Sequence, residues 1–156
     1  MPFSRRSLLR AAVGGVGLAL TAPFLRPLRG RADGAPPALL PPDANGVRLP
    51  PGYTSRVVAR AGQPPRPGGS FAWIASPDGG ATFATADGGW IYAANSELPD
   101  GQGGAAALRF DAAGELADAY PILSGTSRNC GGGATPWGTW LSAEEIPLGR
   151  VWECDP

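Results

Sequence analysis

Short apolar stretches alternate with glycine-rich and proline-rich segments along residues 53–156. No part of this region shows sustained helical periodicity. Tyr53–Ala61, which has two valines at its centre, is predicted to form a first strand. A proline- and glycine-rich loop follows at Gln63–Gly69. Short apolar segments separated by such breaks predict an all-β fold.

A hairpin is predicted near the middle of the chain. Asp111–Glu115 has the composition of a tight turn, and the apolar segment Leu116–Leu123 predicts the strand that follows it. The alternative is a short helix over Asp111–Ala119, because that segment is rich in alanine. Gly114 favours the hairpin, since it lies at the turn position where a hairpin needs glycine.

An internal repeat begins at Gly79. Gly79–Thr82 (Gly-Gly-Ala-Thr) recurs as Gly132–Thr135, 53 residues later. Gly89–Glu97 recurs more loosely as Thr139–Glu145, 50 residues later. Each copy is interpreted as a Gly-Gly-Ala-Thr turn, a strand led by tryptophan and a carboxylate at the strand's end. The repeat therefore predicts two similar units in tandem.

A partner strand is expected after each tryptophan-led strand, at Ala105–Asp111 in the first copy and at Arg150–Asp155 in the second. A period near 50 residues with several short strands in each unit is typical of a β-propeller. Residues 53–156 would then supply about two blades of a ring that we expect to have six. Because two blades do not close a ring, we expect the chain to be the N-terminal part of a longer protein.

The start of the chain resembles an export signal. Residues 4–10 read Ser-Arg-Arg-Ser-Leu-Leu-Arg and precede twelve mostly apolar residues, Ala11–Ala22. Twelve residues are fewer than the roughly 20 that a bilayer requires, so an anchoring or amphipathic helix is the less favoured alternative. The order resembles a twin-arginine signal over residues 1–34. It predicts passage through the twin-arginine translocase to the periplasm or the medium, and residues 35–52 would follow as a proline-rich linker.

Composition narrows the possible chemistry. All 13 basic residues are arginine, and there is no histidine. A His-ligated zinc hydrolase or a Ser-His-Asp triad therefore cannot be built from these residues. The net charge of zero conceals a division: residues 1–34 hold six Arg against one Asp, and residues 35–156 hold seven Arg against twelve acidic residues. The acidic second part argues against nucleic acid as a partner.

Residues 129–145 combine a thiol with carboxylates. Cys130 comes before a glycine-rich segment, and Glu144 and Glu145 end the strand that follows. Glu97 takes the corresponding place in the first copy. A thiolate suits a soft or borderline metal such as iron, and carboxylates suit calcium or iron. We therefore predict a metal site, with solvated carboxylates at a strand end as the alternative.

The two glutamates differ in their expected direction, because neighbouring side chains of a strand point to opposite faces. Two other interpretations of Cys130 stay open: a disulfide with Cys154, or a small buried thiol. Cys154, beside a tryptophan on a predicted strand, is interpreted as structural. Asp78 occupies the place of Cys130 in the first copy, so the repeat does not account for the thiol.

Four segments together resemble the PhoX family of bacterial alkaline phosphatases: residues 76–83, 88–92, 95–97 and 128–145. The resemblance implies a twin-arginine-exported propeller that hydrolyses phosphate monoesters. It also implies iron and calcium on the central axis, held by one cysteine and several glutamates without histidine. Cys130 would be an iron ligand, Glu145 and Glu97 would be ligands of the iron–calcium cluster, and Glu144 is a further candidate.

The chain also departs from the family's pattern. A second cysteine often precedes the paired glutamates in this family, and here that position is Ala143. Further ligands are expected beyond Pro156. We expect a small-molecule phosphate ester as the substrate and no stable membrane anchor.

Two other functions remain possible for this pattern. The first is a non-catalytic periplasmic propeller that binds a ligand or a partner. The second is a calcium-dependent lactonase or phosphotriesterase-like propeller. Cys130 argues against the second, because calcium takes oxygen ligands.

Overall fold

The computed structural model describes residues 38–156. This part of the chain contains strands and no helix, so it has no helical segment that could cross a membrane. The strands are β1 (Pro77–Ala84), β2 (Trp90–Ser96), β3 (Gly103–Phe110), β4 (Leu116–Thr126), β5 (Asn129–Ala134), β6 (Trp140–Glu144) and β7 (Val151–Cys154). The all-β prediction is confirmed for these residues.

The strands form two antiparallel sheets. The first has the order β1-β2-β3-β4 and the second the order β5-β6-β7, so each strand pairs with its neighbour in sequence. The two sheets do not close a ring within residues 38–156. The propeller therefore remains a proposal, while two consecutive meandering sheets are observed.

The hairpin at Asp111–Glu115 is confirmed. The N–H of Asp111 donates to the carbonyl of Glu115 at 3.0 Å, and Gly114 has a φ of 78°. Glycine adopts this left-handed conformation without the steric cost that other residues meet. The alternative helix over residues 111–119 is wrong, because residues from Leu116 onwards pair with β3.

The strand predicted at Tyr53–Ala61 is wrong. Residues 53–60 have no strand assignment, and Ala61 begins a turn. The contribution of this segment is through side chains, because Val58 and Ala59 pack against the core of the first sheet. Tyr53 and Val57 stay exposed. Two adjacent valines have the composition of a strand, but they do not establish that the backbone pairs with a neighbour.

The sequence predicted that the two Gly-Gly-Ala-Thr segments are turns, and this is wrong. They lie within or at the end of β1 and β5. A Cβ atom added at Gly80 would lie 2.6 Å from the carbonyl oxygen of Ala93, and one at Gly132 would lie 2.1 Å from that of Leu141. Glycine is therefore needed here for the close approach of two backbones. The turns come afterwards, at residues 85–89 and 135–139.

The first sheet buries apolar residues on both of its faces. On one face Trp73, Leu108 and Phe110 pack with residues of the preceding loop. On the other face Ala93 and Ala105 pack against Trp140 of the second sheet. Because these alanines are small, the large indole ring fits closely between the sheets. This contact fixes the second sheet next to the first.

A candidate metal centre between two hairpins

The β1–β2 and β5–β6 hairpins are irregular at the same place. The pairing register shifts over Pro77–Gly80 in the first hairpin and over Asn129–Gly132 in the second. Asp78 is the second residue of the first shift, and Cys130 is the second residue of the other. Irregularities of this kind redirect side chains and are common near functional sites. Asp78 and Cys130 thus hold equivalent positions in the two sheets.

Glu97 and Glu145 also hold equivalent positions. The N–H of Glu97 donates to the carbonyl of Ser76, and the N–H of Glu145 donates to that of Arg128, both at 2.9 Å. Ser76 and Arg128 have φ values of 47° and 50°. Residues other than glycine seldom adopt positive φ, and such strain is concentrated at functional sites. The two hairpin ends therefore repeat each other in backbone conformation as well as in sequence.

Three potential ligands from different segments converge at this point. Asp78, Glu97 and Cys130 each offer one ligand atom, and these atoms all lie within 4.8 Å of one another. Asp78 lies on β1, Glu97 directly follows β2, and Cys130 lies on β5 of the second sheet. One thiol with two carboxylates is a donor set that suits a borderline metal such as iron. The residues present therefore fit the metal that the sequence predicts.

The surroundings of Cys130 are strongly negative. A hydrogen bond with Asp78, partial burial and the charges of Asp78, Glu145 and Glu97 raise the pKa of the Cys130 thiol to about 11. Without a cation the thiol thus keeps its proton at neutral pH. A bound cation would reverse this balance, because it favours the thiolate and the carboxylates together.

A family comparison covers part of the chain. Residues 103–152 match the family model described as alkaline phosphatase PhoX. This segment is PhoX-like. It includes Cys130, Glu144 and Glu145, whereas Asp78 and Glu97 lie before it. No curated protein and no solved structure gives a significant match to the chain.

Within the PhoX-like segment the two adjacent glutamates have different surroundings. Glu145 is near enough for its charge to raise the pKa of Cys130, although it lies outside the three-residue cluster. The Glu144 carboxylate instead accepts hydrogen bonds from the N–H groups of Ser127, at 2.9 Å, and Arg150, at 3.1 Å. These bonds lower the pKa of Glu144 and tie two loops together. Glu144 therefore lies outside the cluster.

Both cysteines are free thiols, so the disulfide between Cys130 and Cys154 is contradicted. Cys154 is buried on β7, and Cys130 is partly exposed. Asp78 is the member of the cluster that sequence reasoning missed as a ligand. The available signal was that Asp78 directly precedes the first Gly-Gly-Ala-Thr segment, as Cys130 precedes the glycine-rich segment of the second copy.

Proposed function

We propose that the full-length protein is an exported, metal-dependent phosphatase that hydrolyses phosphate monoesters. The observation that carries this proposal is the cluster of Asp78, Glu97 and Cys130, of which Cys130 lies within the PhoX-like segment. A calcium-only lactonase or phosphotriesterase is less well supported, because calcium gains nothing from a sulfur ligand.

We propose that Cys130 binds iron and that Asp78, Glu97 and Glu145 bind iron or calcium. Bound metal ions supply positive charge that polarises a phosphoryl oxygen and balances charge in the transition state. The protein's own contribution is to hold the ligands from two sheets close together. Next to Cys130, Gly131 leaves free space where a side chain would otherwise project. That opening favours access for a small phosphate ester.

Elemental analysis of the full-length protein, together with hydrolysis of an aryl phosphate, tests the proposal. We expect iron and calcium at stoichiometric levels and turnover that Cys130→Ala abolishes. Cys154→Ala is the matched control, because it removes a thiol that lies away from the cluster. The proposal fails if neither metal is bound. Bound metal without any phosphate hydrolysis would instead indicate a non-catalytic binding propeller.

Export through the twin-arginine translocase forms a second part of the proposal. Its support is the order of residues 4–10, and the proposed leader, residues 1–34, lies outside the described residues. Changing Arg5 and Arg6 to lysine in a reporter fusion is expected to stop export to the periplasm. Undiminished export of the variant would contradict this part and leave the metal centre unaffected.

A further inference from the structure

Asn95 uses its full hydrogen-bonding capacity inside the protein. It is completely buried at the end of β2. Its Nδ2 donates to the carbonyl oxygens of Cys130, at 2.8 Å, and Gly131, at 2.9 Å. Its Oδ1 accepts from Trp140 Nε1 at 2.9 Å and from Ser142 Oγ at 2.7 Å. A primary amide has two donor hydrogens and two acceptor lone pairs, so all four are satisfied.

The two carbonyls that Asn95 holds belong to consecutive residues. In a regular strand successive carbonyls point to opposite sides, so one amide cannot reach both. Cys130 and Gly131 lie inside the register shift of β5, where this alternation is broken. The Asn95 amide thus binds the backbone in the irregular conformation that directs the Cys130 thiol at Asp78 and Glu97.

Asn95 also connects the ligands of the two sheets. Asn95 lies on β2, two residues before Glu97, and it binds the backbone of Cys130 on β5. The buried network continues away from the site: Asn129 Nδ2 donates to Ser142 Oγ at 2.8 Å, and Thr126 Oγ1 donates to Asn129 Oδ1 at 2.6 Å. Backbone carbonyls can only accept hydrogen bonds, and an indole N–H can only donate one. These two facts fix the donor and the acceptor of every other bond in the network.

We propose that Asn95 is a positioning residue for the metal centre, which sets the place of the Cys130 sulfur relative to Glu97. This inference rests on the metal site of the proposed function and adds a specific residue to it. Partners that orient metal ligands commonly contribute 10–100-fold to metal affinity. Asn95 acts through the two carbonyls and touches neither metal nor substrate.

Binding of Co²⁺ to the full chain tests the proposal, because a thiolate bound to Co²⁺ gives a sulfur-to-metal charge-transfer band. Asn95→Asp keeps the shape of the side chain but sets a carboxylate oxygen against two carbonyls. Ser142→Ala is the matched control, since it removes one bond to Oδ1 and leaves both carbonyl bonds intact. Both variants are expected to lower the melting temperature, because both disturb the buried network.

Only Asn95→Asp is expected to change the metal site. We expect its Kd for Co²⁺ to rise about 10–100-fold and its charge-transfer band to weaken. Ser142→Ala is expected to stay within about threefold of the unsubstituted protein, with the band unchanged. Equal effects of the two variants on the band, or an unchanged band in Asn95→Asp, would overturn the proposal.

Folding failure is covered by a second variant, Asn95→Ser, which keeps a smaller polar group at the site. If neither Asn95 variant folds where Ser142→Ala does, Asn95 is a core residue only and the positioning role is wrong. Absence of the band in the unsubstituted protein would overturn the metal centre itself. That outcome is distinct from a band that is present and insensitive to Asn95.

Discussion

At the scale of single residues, the two copies of the hairpin differ in the potential metal ligand that they carry at the same position. Asp78 and Cys130 occupy equivalent positions in the two hairpins, but one is a carboxylate and the other a thiol. Asp78 gives Cys130 a negative neighbour, which raises the pKa of the thiol. A pair of identical carboxylates here would favour calcium, whereas the thiol widens the choice toward iron.

Asp78→Asn is expected to lower the pKa of the Cys130 thiol from about 11 toward the ordinary value near 9. The reason is that the hydrogen bond and the charge of Asp78 both favour the protonated thiol. The pH dependence of the reaction of Cys130 with a disulfide reagent measures this, in a Cys154→Ala background. Glu144→Gln is the control, because its carboxylate is bound to backbone N–H groups elsewhere. An equal shift in both variants would contradict the assignment.

At the scale of elements, the two hairpins share their ends but differ in length. The regularly paired part of each hairpin lies between its turn and its register shift. In the first hairpin it runs from Ala84↔Trp90 to Gly80↔Ala94. In the second it runs from Ala134↔Trp140 to Gly132↔Ser142. The second hairpin is shorter by two residues on each strand. Because side chains alternate with a period of two, this difference leaves every face unchanged. The cluster can therefore form although the copies differ in length.

Gly132→Ala is expected to destabilise the chain by about 1–3 kcal/mol, because its Cβ atom would meet the carbonyl of Leu141 and the ring of Trp140. Gly133→Ala is a matched control on the same strand, since a Cβ atom there meets nothing within 4 Å. We expect it to change stability by less than about 0.5 kcal/mol. Urea unfolding measures both, and equal losses would show that the close approach at Gly132 is not the cause.

The sequence predicted the elements better than their edges. The apolar segment that begins at Trp90 identified β2, and the glycine of the Asp111–Glu115 turn identified the hairpin of β3 and β4. Local composition was sufficient for these strands. Gly-Gly-Ala-Thr was misread as a turn, since glycine also serves close backbone contact, and only the partner strand distinguishes the two uses. The role of Asp78 required the packing of β1 beside β5, which no local pattern contains.

The turn between β1 and β2 has a pH-dependent part. Hydrogen bonds from Thr85 and the N–H of Gly89, together with Arg109, lower the pKa of Asp87 to about 2. A carboxyl group whose folded pKa is depressed stabilises the fold above its unfolded pKa of about 4 and loses that effect as the pH falls toward 2. The stability of this hairpin should therefore fall in that interval.

Asp87→Asn is expected to reduce the dependence of stability on pH between about 4 and 2, because the variant has no carboxyl group to protonate. The midpoint of urea unfolding, measured at several pH values in that interval, tests this. Asp100→Asn is a control, since this exposed residue also lies in a loop but makes none of these bonds. A decline as steep in Asp87→Asn as in the unsubstituted protein would contradict the role of Asp87.

At the scale of the whole molecule, the two sheets meet where β1 packs beside β5. Trp140 packs against alanines of the first sheet, and Asn95 binds the backbone of Cys130 and Gly131. The cluster adds a further connection, because Asp78 lies on β1, Glu97 directly follows β2 and Cys130 lies on β5. A metal bound there would hold both sheets at once.

Metal binding is therefore expected to make the two sheets unfold together. A ligand that binds only the folded state, at 100 times its Kd, adds about 2.7 kcal/mol of stability, which corresponds to a rise in Tm on the order of 5–10 °C. Calorimetry with Co²⁺ and after chelation measures this rise and the width of the transition. We expect one sharp transition with metal and a broader, lower one without it. The double variant Cys130→Ala/Glu145→Gln, which removes both proposed ligands on the side of the second sheet, should bring the two scans together. A metal-induced rise that persists in the double variant would show that the ion binds without linking the sheets.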